Sequence, residues 1–166
     1  MYEDEFLQIV NEIISNRKYL RLQEEKHHHN TNRYKHMLDV SYMTYKFCKN
    51  RNLDYKSATR AALLHDFYFD DDFKDDNNAK KLLTHPKMAI KNSEEICDLS
   101  EKEKNIISSH MFPIGGSLPK YKESIVVDVI DDIVSAKERL NGDFKKLKYA
   151  IKIGIVLIIG LLDIYK

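Results

Sequence analysis

Apolar residues recur along this chain at intervals of three and four positions, the period of an amphipathic helix. No stretch shows the strict apolar–polar alternation that is typical of a half-buried strand. A helix with one apolar stripe must bury it against another helix, so the pattern predicts an all-α bundle of about six or seven helices. The predicted helices cover residues 4–18, 33–49, 58–64, a segment that begins at residue 86, 100–110, 121–136 and 144–164.

Length and charge narrow the class of protein. With 166 residues the chain is long enough for one domain with a real core. Its 27 basic and 26 acidic side chains nearly cancel, so no overall field favours a nucleic-acid duplex or an acidic membrane. Cys48 and Cys97 form no C-x-x-C pair and fit free thiols in a reducing compartment. An acidic N-terminus, unlike a signal peptide, agrees with a cytoplasmic location.

The C-terminal segment 143–166 contains an apolar run from Ile153 to Leu162, bounded by Lys152 and Asp163. A membrane-spanning helix needs about 20 apolar residues, and this run is shorter. We therefore expect no membrane span. The run is predicted to be a buried terminal helix or a contact in a homo-oligomer.

The stretch from Arg60 to Asp66 ends a predicted helix with histidine and aspartate at consecutive positions. Because the backbone turns at a helix end, His65 and Asp66 can point at one metal ion. Imidazole nitrogen suits iron, zinc and manganese, while a carboxylate neutralises charge and can bridge two ions. Taken alone, the pair is also what an ordinary helix end with a capping carboxylate shows.

Other potential ligands lie at the ends of helices or among apolar residues. His36 falls in the first turn of its helix, and His110 falls at a helix end. His85 precedes a proline that is predicted to open a helix, which places His85 beside the N-cap. Asp128 and Asp131 are three residues apart on one helix face. Any one histidine alone fits a core or capping role, but helical bundles build metal sites in this way.

Together these residues resemble the HD-domain metal-dependent phosphohydrolases, whose ordered signature is His, His-Asp and a distant Asp. The resemblance covers about residues 29–138, and the segments around His85, His110 and residues 119–124 look like a subgroup of small, stand-alone bacterial HD proteins. It implies a single HD-type domain over residues 1–166. The metal ligands that it implies are His36, His65, Asp66, His85, His110 and Asp131.

The distal carboxylate stays open between two alignments. An ungapped alignment to the small subgroup selects Asp131, whereas the Asp-x-x-Asp-Ala pattern of cyclic-dinucleotide phosphodiesterases selects Asp128.

The resemblance further implies one or two divalent ions (Fe, Mn, Ni or Zn), with Asp66 as a bridge between two. It implies catalytic roles for Asp66 and for His29, as a substrate contact or acid, and it makes Arg33, Lys35 and Lys120 candidate phosphate contacts. The expected activity is hydrolysis of a small phosphorylated substrate, in particular a nucleotide, by metal-activated water. Two alternatives are a mixed-valent di-iron oxygenase and a non-catalytic metal-binding regulatory module.

Overall fold

A computed structural model describes residues 2–25, 32–73 and 78–140, together with the single helical positions 152, 154, 156 and 160. Seven α-helices and no strand lie in that part of the chain, so the all-α prediction is confirmed. The helices are α1 (Asp4–Ile14), α2 (Arg17–Leu20), α3 (Arg33–Asn50), α4 (Tyr55–Leu64), α5 (Asn78–Glu94), α6 (Glu101–Ser109) and α7 (Lys122–Arg139).

Helix α4 lies at the centre of the bundle and packs against α3, α6, α1 and α7. Ala61 and Ala62 in its last turns are fully buried, and such small side chains let neighbouring helices approach closely. Two buried hydrogen bonds fix the helix to its neighbours. Ser41 donates its hydroxyl to the Thr59 carbonyl at 2.8 Å, and Tyr19 donates to the Leu63 carbonyl at 2.7 Å. The residues that follow Leu64 are therefore held firmly at the centre of the fold.

The helix starts follow their capping residues. Asn32 is the N-cap of α3, which begins at Arg33, and its side chain accepts a hydrogen bond from the Lys35 backbone N–H at 2.8 Å. Ser100 and Glu103 form a capping box at the start of α6, with the Glu103 carboxylate accepting from the Ser100 backbone N–H at 2.8 Å. These local signals fix where α3 and α6 begin, and hence where His36 and His110 lie.

The predicted start of a helix at Pro86 is wrong. Helix α5 already begins at Asn78 and runs through Pro86, because the alanine, lysines and leucines at 79–83 are strong helix formers. Proline lacks the N–H that would bond the Leu82 carbonyl four residues back. His85 is consequently not a capping residue but a buried residue in the middle of a helix.

The predicted loop between α6 and α7 is held tightly against α6. Gly116 has a φ of +79°, and a Cβ there would lie 2.2 Å from the Ser108 carbonyl oxygen, so glycine is required. Ser117 donates its backbone N–H to the same carbonyl at 2.9 Å. The chain therefore turns back immediately after His110.

The predicted C-terminal helix lies largely outside the described residues. At the helical position Gly154, a Cβ would lie 2.5 Å from Ile133 Cδ1 of α7, so the backbone packs closely there. Among the described helices, none combines the length and the apolarity that crossing a membrane demands.

Candidate metal centre

Five helices bring the six predicted ligands to one place inside the bundle. All four histidines are at most 5% exposed, and Asp66 is buried as well. The six side chains come from α3 (His36), the end of α4 (His65 and Asp66), α5 (His85), the end of α6 (His110) and α7 (Asp131).

His65 and His110 are oriented by the same local device. Each follows the last residue of its helix, and each bonds through Nδ1 to the carbonyl three residues back, Ala62 at 2.8 Å and Ile107 at 2.7 Å. His85 bonds in the same sense to the Lys81 carbonyl at 3.2 Å. A carbonyl only accepts, so Nδ1 carries the hydrogen, and the Nε2 of each ring, when neutral, presents a lone pair.

The lone pairs of His85 and His110 point at each other. Their Nε2 atoms are 2.9 Å apart, and both rings are buried. Two acceptors at that separation repel unless a cation, either a proton or a metal ion, lies with them. The pair is therefore arranged to hold a positive charge.

Asp66 lies between two groups of histidines and offers one oxygen to each. Its Oδ1 is 3.3 Å from His85 Nε2 and 3.4 Å from His110 Nε2, while its Oδ2 faces His65 Nε2 at 3.9 Å. Burial alone would raise the pKa of the Asp66 carboxyl, but the nearby His65, His110 and His85 hold it well below its usual range. Asp66 is therefore an ionised carboxylate whose two oxygens serve different histidines.

His36 has carboxylates on both sides of its ring. Its Nε2 is 2.9 Å from Asp131 Oδ1, and its Nδ1 is 3.2 Å from both oxygens of Glu138. Burial alone would lower the pKa of His36, but the hydrogen bonds to Asp131 and Glu138 raise it to about 10. Without a metal, this histidine is therefore a cation held between two anions.

Asp131, rather than Asp128, faces the histidines. Its Oδ1 also lies 3.6 Å from His65 Nε2, and the two histidines hold the pKa of its carboxyl below the usual range against the effect of burial. For Asp128, burial reinforced by repulsion from Asp132 and Asp131 raises the pKa to about 8. In the metal-free protein Asp128 therefore favours its protonated form at pH 7, whereas Asp131 is ionised.

The donor set fits a divalent metal. His65 Nε2 and Asp66 Oδ1 are buried and have no hydrogen-bond partner, which in a packed interior indicates a missing partner atom. Two overlapping groups have their ligand atoms within 4.8 Å of one another: His36, His65 and Asp131, and His65, Asp66 and His110. Imidazole and carboxylate together suit iron, manganese, nickel and zinc.

The other predicted site residues were the candidate acid His29 and three candidate phosphate contacts. His29 falls outside the described residues. Arg33 is buried, and its guanidinium binds the Tyr68 carbonyl at 2.8 Å. Lys35 pairs with Asp39 on the surface at 2.6 Å. Lys120 is exposed at the end of the loop after α6.

Sequence reasoning missed Glu138, the second carboxylate on His36. The spacing held a usable signal, because Glu138 follows Asp131 by seven residues, two turns of the same helix face. A carboxylate on the far nitrogen of a histidine fixes its tautomer and raises its basicity as a ligand. Glu138 therefore belongs to the site although it is not one of the six predicted ligands.

Comparison with known proteins gives one family. Searches of curated proteins and of solved structures gave no match to this chain. A family model described as the HD domain matches residues 33–136, which is more than half of the chain. This span runs from α3 into α7 and contains all six predicted ligands. HD domains bind divalent metals, and their proteins are usually hydrolases. The chain therefore belongs to the HD domain family.

Proposed function

We propose that the protein is a metal-dependent phosphohydrolase that acts on a small phosphorylated substrate, in particular a nucleotide. The observation that carries the proposal is the pair of acceptor nitrogens on His85 and His110, 2.9 Å apart and next to an unpartnered oxygen of Asp66. A buried group of acceptors without donors needs cations to be stable. The phosphate of a substrate is the natural counter-anion for such a charge.

Six side chains would hold two ions. His36, His65 and Asp131 would hold one, His85 and His110 would hold the other, and Asp66 would bridge them through its two oxygens. When bound, divalent ions neutralise phosphate charge and lower the pKa of water towards neutrality. The separate directions of Asp66 Oδ1 and Oδ2 support the bridging role.

The surrounding residues have supporting tasks. The carbonyls of Ala62, Lys81 and Ile107 keep three rings in the tautomer that exposes Nε2. Glu138 does the same for His36 with a negative charge in addition. Asp66 has a second role as the catalytic carboxylate that orients the water, and His29 remains a candidate acid.

The test combines metal content with hydrolysis. The purified protein is expected to contain iron, manganese, nickel or zinc by elemental mass spectrometry and to hydrolyse p-nitrophenyl phosphate or its diester. His65→Ala should lose both the metal and the activity. Asp128→Asn is the control, because it changes a carboxylate one helical turn from Asp131 and should keep both. Wild-type protein that binds no metal, and shows no phosphatase activity with any of the four ions, would refute the proposal. Oxygen consumption restricted to the iron form would indicate an oxygenase instead.

A further inference from the structure

Two cations beside the candidate metal centre converge on a single carboxylate oxygen. Arg33 Nη2 lies 3.2 Å and Lys81 Nζ lies 2.8 Å from Asp70 Oδ1. The two ends of this contact are in very different surroundings. Arg33 is 3% exposed, whereas the Asp70 side chain is 61% exposed and sits on the short turn from Asp70 to Phe73. The Arg33 guanidinium is therefore held in the interior, whereas the Asp70 carboxylate that pairs with it lies at the surface.

The Arg33 guanidinium is only partly used. Its Nη1 binds the Tyr68 carbonyl at 2.8 Å and Glu25 at 3.3 Å, whereas its Nε is buried and has no hydrogen-bond partner. Nε and Nη2 form one edge of the planar group, whose parallel N–H bonds suit two oxygens of one carboxylate or phosphate. Asp70 satisfies only the Nη2 half of that edge. A buried donor without an acceptor indicates that a better-fitting anion belongs there.

This cation pair is close to the candidate metal ligands. The Tyr68 ring lies under Arg33 Cζ at 3.9 Å and near Lys81 Nζ at 5.2 Å, and its centroid is 5.3 Å from that of His85. Arg33 and Lys81 also precede His36 and His85 by three and four residues, about one helical turn. An anionic group bound to the pair would therefore lie beside whatever occupies the centre.

We propose that Arg33 and Lys81 form a second anion subsite, which takes a further phosphate group of the substrate, and that the Asp70 carboxylate occupies this subsite until the substrate displaces it. The proposal rests on the proposed function and adds a substrate class to it, organic phosphates that carry at least two phosphate groups. Charge favours the exchange. Glu25 balances one of the two cations, and departure of Asp70 leaves one positive charge unpaired. A phosphate can bond both Nε and Nη2 of Arg33, whereas Asp70 bonds one.

The test is a binding comparison that needs no turnover. AMP and ADP, which share a nucleoside and differ by one phosphate, are titrated by calorimetry into Mn²⁺-loaded wild type and variants. Asp70→Asn keeps the size of the side chain and removes the competing charge, so ADP affinity should rise about tenfold while AMP affinity changes less than about twofold. Lys81→Gln should reduce the advantage of ADP over AMP.

Glu94→Gln is the matched control. It removes the carboxylate from an equally short ion pair, that of Glu94 with Lys104 at 2.8 Å. Glu94 lies on the same helix as Lys81, about 13.5 Å along the axis from His85. This variant should leave both affinities unchanged. The proposal is overturned if AMP and ADP bind equally well to the wild type, or if Asp70→Asn and Glu94→Gln give the same result. Selective ADP binding without cleavage would support the subsite and refute the hydrolase proposal, so the two can fail separately.

Discussion

The two halves of the candidate centre differ in what surrounds their buried histidines. In the His36 half, a histidine lies between two carboxylates, Asp131 at 2.9 Å and Glu138 at 3.2 Å, which stabilise its positive charge without any metal ion. In the His85–His110 half, backbone carbonyls fix the Nδ1 atom of each ring, and the two Nε2 atoms face each other at 2.9 Å. Asp66 lies beside both, at 3.3 and 3.4 Å.

The difference shows what a metal would replace in each half. In the first half a metal ion would displace a proton from His36, so metal binding there competes with protonation and weakens as the pH falls. In the second half it would supply a charge that the residues themselves lack. Asp66 joins the halves, and His65 faces it across 3.9 Å, so the loss of either residue should affect both halves.

The largest effect is expected from the shared residues. Asp66→Ala removes the proposed bridge between the halves. His65→Ala removes a ligand of the first half whose Nε2 also faces Asp66 at 3.9 Å. In either variant metal affinity should fall more than about 100-fold and hydrolysis with it. Elemental analysis after gel filtration measures the bound metal, and circular dichroism checks the fold. A variant that keeps the wild-type metal content would show that the two halves do not share these residues.

Asp131→Asn and Asp128→Asn should differ strongly although they lie three residues apart on one helix. The first removes the anion that faces His36 and His65, so metal in that half should be lost. The second alters a group that is largely neutral at pH 7 and should leave metal content near that of the wild type. The reverse result, by elemental analysis, would assign Asp128 as the ligand.

His110→Ala separates the halves. It removes one of the two facing nitrogens of the second half and none of the contacts of His36. The number of ions bound per chain should fall by one, as measured by titration with Mn²⁺. Loss of all bound metal would mean that the halves are one indivisible site.

Glu138→Gln is expected to have a moderate effect confined to the first half. Glutamine can still accept the hydrogen bond from His36 Nδ1, but it brings no negative charge, so metal affinity should fall about 10-fold. Glu138→Ala, which removes the bond as well, should fall further. Equal affinities for wild type, Glu138→Gln and Glu138→Ala would exclude a role of Glu138 in orienting His36.

The smallest effect concerns the pH dependence of stability in metal-free protein. The pKa of His36 is raised to about 10 from 6.5, so its ion pairs contribute fully below about pH 6.5, and this contribution is lost as pH rises towards 10. Urea unfolding between pH 6.5 and 10 should therefore show a decline that is weaker in Glu138→Gln. A decline of the same slope in both proteins would contradict the assignment.

Much of the fold could be read from the sequence because the signals were local. Apolar spacing gave the helices, and Ser100 with Glu103 gave the start of α6. Pro86 misled the prediction, since its usual place at a helix start was outweighed by the strong helix formers before it. Rules based on neighbouring residues do not show which of two signals decides the start of a helix when the signals disagree.

The ligand types could be anticipated, but not their partners. The order of His36, His65-Asp66, His85, His110 and Asp131 is visible in the sequence, and the structure brings these residues together. The contact between Arg33 and Asp70 joins residues 37 positions apart, and that between His36 and Glu138 joins residues 102 apart. Such contacts depend on how the helices pack, which the sequence pattern does not specify.

A crystal structure with the native metal, recorded across its absorption edge, tests the central claim most directly. We expect two anomalous peaks about 3.5–4 Å apart, one beside His36, His65 and Asp131 and one beside His85 and His110, with Asp66 between them. An anomalous peak elsewhere in the protein, or none among these six side chains, would contradict it.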